Sequence, residues 1–181
     1  MNPRAIALLP VLVFAMTGAA AQPAPAPKQA RMTAAECEVW ARELSFAQSV
    51  ADHDAKAFAS HLESDAAFGA SLPEPTRGRD AITKRWAGII EGKRFKLAWY
   101  PTRTTIGGVG DIAWSSGPSL FEDLDPNAKE RYRIGAFHSV WDRGGDGVWR
   151  VLFDDGVDPK PATEAQVAEF RAGRQATCPQ A

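Results

Sequence analysis

The sequence predicts an α+β domain: a cone-shaped, curved antiparallel β-sheet wrapped around three N-terminal helices. Two observations carry this. Between residues 33 and 92 apolar side chains recur at helical spacing, whereas from residue 94 they alternate with polar ones. Turn signals rich in Gly, Pro and Asp separate the later segments, which is the signature of an antiparallel meander. Helices followed by a meander make an α+β pattern, and the open end of such a cone is a pocket.

The elements follow in order. Thr33 stands three residues before Glu36, the capping-box spacing, and Val39, Trp40, Leu44, Phe46, Ala47 and Val50 continue as a long amphipathic helix. Asp52-His53-Asp54 breaks it, and Asp54 caps a short second helix carrying Phe58 and Leu62. "LPEPTRGRD" reads as a loop. "DAITKRWAGIIEG" is a third helix with Ile82, Trp86, Ile89 and Ile90 inward and Gly92 as its stop. "RFKLAWY" then alternates Phe95, Leu97 and Trp99 against polar or small partners. Three further strands, "IAWSSGPSLFE", "RYRIGAFHSVWDR" and "VWRVLFDD", are separated by "DLDPNAKE" and "GGDG". A last helix starts at Thr163, with a capping-box partner at Gln166, and ends at Gly173.

The first residues have another character. Arg4, the apolar run "AIALLPVLVFAMTGAAA" and the small residues Ala19 to Ala21 before Gln22 form a secretory signal peptide over 1–21, with an uncleaved anchor as the alternative. Residues 22–32 form a Pro/Ala-rich linker, 33–158 the folded domain, and 159–181 a C-terminal helix and tail. The expected location is periplasmic or secreted. The charge is −1 and basic residues do not cluster, so nucleic acid is not an expected partner. No further apolar run is long enough for a membrane span in the mature chain. Cys37 and Cys178 pair in an oxidising compartment, the alternative being two free thiols. Without a CxxC motif, thiol catalysis is not indicated.

The segments "FAQSVADHDAKAFASHLESDAAF", "RGRDAI", "SSGP" and "GAFHSVWDRGGDGVWRVLFDDG" carry a family likeness. From Trp40 to Asp155 the chain resembles the nuclear transport factor 2-like (SnoaL-like) superfamily, most nearly its domain of unknown function 4440 group. The resemblance implies a cystatin-like α+β roll. It does not imply one activity, because the superfamily holds isomerases, dehydratases, cyclases and binding subunits. Aligned with the steroid isomerases of this fold, the tyrosine position falls on Phe46, the base position on Ala70 and the third position near Ser139. Two of the three roles are therefore missing.

Alternation along "GAFHSVWDR" puts Phe137, Ser139 and Trp141 on one face and Ala136, His138 and Val140 on the other. A turn at Gly144–Gly145 would set Trp141 opposite Trp149, Ser139 opposite Val151 and Phe137 opposite Phe153. His138 is then expected on the convex face, near Asp154 or a partner chain, rather than acting as a catalytic base. The candidate pocket is lined by Phe95, Leu97, Trp99, Ser115, Gly117, Phe137, Ser139 and Trp141, and closed by Phe46, Phe58, Phe68 and Trp86. A dry core is the plainer reading of the same aromatics, and a slip in the second strand would exchange Ser115 and Gly117 for Trp114 and Ser116.

Asp65 is the candidate acid/base, with Ser139 as its catalytic partner; the bland alternative pairs Asp65 with Arg77 or Arg79. His53 and His61 have no third ligand at metal spacing, so neither metal nor cofactor is expected. Two readings follow. The first is an exported binding or accessory domain for a small apolar or amphipathic ligand, forming a homodimer through its convex sheet face. The alternative is an isomerase, dehydratase or hydrolase using Asp65.

Overall fold

A computed structural model describes residues 31–179. The signal peptide and nearly all of the linker lie outside the described residues. The first helix, α1 (Ala34–Ala51), is capped as its spacing requires: the Thr33 side chain accepts from the Glu36 amide and Glu36 reaches back to the Thr33 amide. Its inner stripe holds Val39, Trp40, Glu43, Phe46, Ala47 and Val50, all buried. Complete burial of Phe46 contributes about 2–3 kcal/mol. Asp54 accepts from the Lys56 and Ala57 amides and starts α2 (Ala55–Ser60).

The chain next makes two strands, β1 (Leu62–Phe68) and β2 (Thr76–Arg77), where helix end and loop were expected. The third helix, α3 (Arg79–Glu91), ends at Gly92, whose φ of 62° is the left-handed conformation a glycine stop provides. Strands β3 (Phe95–Trp99), β4 (Arg103–Gly107), β5 (Ile112–Asp123), β6 (Tyr132–Arg143) and β7 (Trp149–Pro161) follow, then α4 (Glu164–Gly173) with the Thr163–Gln166 capping box. The strand order is β2-β1-β7-β6-β5-β3, with β4 also on β5.

The sheet is mixed, which corrects the antiparallel expectation. β1 lies parallel to β7, with Leu62 opposite Val151 and Phe68 opposite Asp154. A parallel neighbour needs a long crossover, and the entire α3–β6 segment supplies it, so no local pattern announced β1. β3 and β4 share β5 end to end, and the chain turns between them at Tyr100-Pro101-Thr102.

The inner sheet face packs on α1, α2 and α3 through one aromatic core. On the outer face, α4 covers Leu120 and Tyr132 with Val167 and Phe170. A disulfide between Cys37 and Cys178 fastens the C-terminal tail to α1, and the Met32 amide donates to the Pro179 carbonyl beside it. No helix among the described residues is long and apolar enough to cross a membrane.

Candidate functional site

The β6–β7 hairpin decides what faces the inside. Near its turn Arg143 pairs with Trp149 and Trp141 with Val151, but the next partner of Val140 is Phe153. Leu152 is the extra residue of a β-bulge, and a bulge reverses the alternation beyond it. Ser139 therefore faces Asp154, His138 faces Asp155 and Phe137 faces Gly156. The expected pairing of Trp141 with Trp149 is corrected by the turn, which spans residues 144–148 and sets Trp141 opposite Val151, and those of Ser139 with Val151 and Phe137 with Phe153 by the turn and the bulge together. Phe153 is turned outward and is 41% exposed, while Asp154 is turned in.

Inside, a polar cluster sits within the aromatic core. Glu43 is fully buried on α1; the Trp99 indole N–H donates to its Oε1 at 2.7 Å and the Trp141 indole N–H to its Oε2 at 3.0 Å. Buried indoles need acceptors, and here one carboxyl serves two. Desolvation pushes the Glu43 carboxyl up to about 7, against the lowering effect of the Trp99, Trp141, Ser115 and Ser139 hydrogen-bonding groups. Ser139 Oγ donates to Asp154 Oδ2 at 2.8 Å. Desolvation also holds the Asp154 carboxyl well above the usual carboxylate range; the Ser139 bond opposes this, and the negative charges of Glu43 and Asp155 reinforce it. The Ser115 hydroxyl belongs to the same cluster yet forms no hydrogen bond of good geometry, so its influence on Glu43 is that of a nearby dipole.

Asp154 is enclosed by protein except where it meets a cavity. That cavity measures about 220 Å³ and is walled by Phe46, Trp86, Leu97, Trp99, Phe121 and Phe137; Asp154 turns its carboxyl into it, while Asp155 borders it with its side chain on the His138 face. A smaller lobe of about 170 Å³ shares Trp86, Asp154, Asp155 and Gly156 with it and adds Phe68 and Arg85. Asp154 Oδ1 has no hydrogen-bond partner among the described residues.

Of the residues expected at the pocket, Phe46, Trp86, Leu97, Trp99 and Phe137 line the main lobe and Phe68 the smaller one. Phe58 is buried core, with its ring stacked on Trp86 at 5.1 Å. Phe95 packs against Phe121 instead of lining either lobe. Ser115, Ser139 and Trp141 are fully buried around Glu43 and border no open space. At Gly117 the missing side chain leaves room for the Tyr100 carbonyl at the β3–β4 corner, not for a ligand. Asp65 is exposed on β1, lines neither lobe and pairs with neither arginine; Arg79 instead donates to the Leu62 carbonyl at 2.7 Å. Ala70 is also exposed.

The histidines are held apart. His138 is on the outer face, stacked on Trp114 at 5.6 Å. His53 Nδ1 lies 2.7 Å from the Ile90 carbonyl. His61 Nδ1 is 2.8 Å from the Ala57 carbonyl, an acceptor only, so Nδ1 carries the proton and Nε2 accepts from Ser45 Oγ at 3.0 Å. Desolvation lowers His61 to about 4, which keeps it neutral. It forms part of an open groove of about 850 Å³ between α1, α2 and the C-terminal tail. Among the described residues no group of His, Cys, Asp and Glu is placed to hold a metal ion.

Glu43 and Asp154 were not singled out from the sequence. Glu43 carried a usable signal: it lies at helical spacing between Trp40 and Ala47, a charge on an apolar stripe. Asp154 carried none, because its direction depends on the bulge.

No protein-family model matches this chain, and no curated protein matches it. Solved structures do. A nuclear transport factor 2-like protein of unknown function from Pseudomonas putida KT2440 aligns with a TM-score of 0.57 at 20% identity, over 76% of this chain and 94% of that one. A nuclear transport factor 2-like superfamily protein from Salmonella enterica serovar Typhimurium aligns at 0.55 and 18%, over 73% and 96%. A ketosteroid isomerase-like protein from Erwinia carotovora atroseptica aligns at 0.54 and 11%, over 69% and 96%. At these identities what is shared is the fold.

Proposed function

We propose that this chain, which has the nuclear transport factor 2-like fold, is an exported binding domain that holds a small, largely apolar molecule against Asp154. The observation that carries the reading is the aromatic-walled cavity with one carboxyl whose Oδ1 is unpartnered. Apolar walls with few polar points are the usual make-up of small-ligand sites. Trp86 and Trp99 belong to the wall, so occupancy should alter indole emission. Native mass spectrometry of protein purified from its source organism tests the reading: a retained small molecule supports it. Protein that carries none and shows no fluorescence response to a library of single-ring compounds would defeat it.

A second reading is acid/base catalysis, now through Asp154 and not Asp65. A buried carboxyl without a basic partner is the form a general acid or base takes. Turnover that survives Asp65→Asn and is lost in Asp154→Asn would favour it.

Membership of the domain of unknown function 4440 group and export remain parts of the proposal. The signal-peptide pattern and the Cys37–Cys178 bond support export. Self-association through the convex sheet is proposed on the outer-face side chains Trp114 and Phe153, which α4 leaves uncovered; the occupant is a second copy of this chain.

A further inference from the structure

We infer that the cavity takes a small organic cation, an amine or quaternary ammonium ion on a single-ring scaffold. The inference rests on the pocket reading above and narrows it to a ligand class. Three features of the lining argue for positive charge.

The first is what faces inward. In the main lobe Asp154 is the one charged side chain turned inward, Asp155 lying at the next position of β7 with its side chain on the His138 face, and neither Lys nor Arg lines it. Arg85 reaches only the smaller lobe, Arg133 is spent over the Phe121 ring, and His138 stands beside Asp155 on the outer face of the sheet. Burial works to raise Asp155, but hydrogen bonds from Ser71 and Gly156 outweigh it and keep the carboxyl charged. Behind the wall Glu43 adds a second acid.

The second feature is the wall itself. Aromatic faces attract cations, and desolvated sites strengthen the attraction. The third is the lack of donors. The Trp99 N–H is already given to Glu43, so Trp99 offers a ligand its ring and no hydrogen bond. An anion would meet the Asp154 carboxyl, and among the lining side chains only the Ser119 hydroxyl and the Trp86 indole N–H are uncommitted donors, both neutral. A cation is met by rings on its flanks and by the free Asp154 Oδ1 at its head.

In the empty cavity burial holds the proton on Asp154 to higher pH than on an exposed carboxyl. A quaternary ion at Oδ1 favours the ionised carboxyl, so the proton that Asp154 holds leaves to solvent as the ligand binds. Binding should therefore tighten as pH rises.

Calorimetry on the full chain at neutral pH tests this with benzyltrimethylammonium, benzylamine, benzyl alcohol and benzoate. Either cation should bind about tenfold or more tighter than benzyl alcohol, with benzoate weakest. Titrations of benzyltrimethylammonium in two buffers of different ionisation enthalpy should show proton release. Asp154→Asn should abolish that release and the cation preference while retaining benzyl alcohol binding. If that variant does not fold, the order of the four affinities in the unmodified protein decides alone. Benzyl alcohol or benzoate binding as tightly as the cations would overturn the inference and leave the pocket reading standing. Binding by none of the four would count against both.

Discussion

Ser139 and Asp154 face each other across β6 and β7, joined by a 2.8 Å hydrogen bond in which the hydroxyl donates to Oδ2. The pair exists because Leu152 is inserted as a bulge. Ser139→Ala should leave one buried Asp154 oxygen without its donor and cost about 1–2 kcal/mol, measured by urea unfolding. The variant should also keep Asp154 protonated to higher pH, since the lost bond favoured the charged form. An unchanged midpoint would mean that the bond does not hold the hairpin.

Two buried groups should pull stability in opposite directions with pH. Folding raises Glu43 from 4.5 to about 7, so the folded state holds a proton the unfolded one releases, and stability falls as pH rises through that window. The loss is about 3 kcal/mol across it. Asp154, also raised, has the same sign. Folding lowers His61 from 6.5 to about 4, so its contribution is present above 6.5 and is lost as pH falls toward 4. Thermal melts across this range should show Glu43→Gln making the pH slope more positive than wild type and His61→Asn making it more negative. Parallel slopes in all three proteins would refute the assignment.

The Cys37–Cys178 bond closes almost the whole domain, a sequence separation of 141. In the chain-entropy model a loop of that size is worth about 5 kcal/mol, and measured bonds typically give about 2–4. Reduction should therefore lower the melting temperature by roughly 10 °C for a chain of this size. A double Cys→Ser variant should match the reduced protein and no longer respond to reductant.

Trp114 is 42% exposed and stacks on His138. If a second copy covers this face, Trp114→Glu should convert a dimer to a monomer in light scattering, with little change in circular dichroism. A monomeric wild type would remove the convex face from the account.

Much of the architecture was legible where the signals are local. The Thr33–Glu36 and Thr163–Gln166 boxes, the Asp54 cap and the Gly92 stop all act within a few residues, and each stands as its spacing implied. Alternation placed Ser115 and Trp114 on the correct faces of β5. What stayed hidden depended on distant partners. "LESDAAF" has no period of two and is a strand because β7 lies beside it. The single inserted Leu152 then moved Asp154 from the outside to the cavity, and no count along the hairpin could have placed that insertion.

The corner at Pro101 has a consequence for the protein in crowded surroundings. One margin of the sheet is β2, two residues long; the other is divided into β3 and β4, five residues each, with the proline between them. Long, flat, unpaired margins are where foreign strands add on and fibrils begin. Beside β2, the edge of β7 beyond Asp154 is not covered by β1, and there Pro159 and Pro161 withhold the amides a further strand would need. The close approach of Tyr100 over Gly117 thus keeps β3 and β4 from joining into one long edge strand.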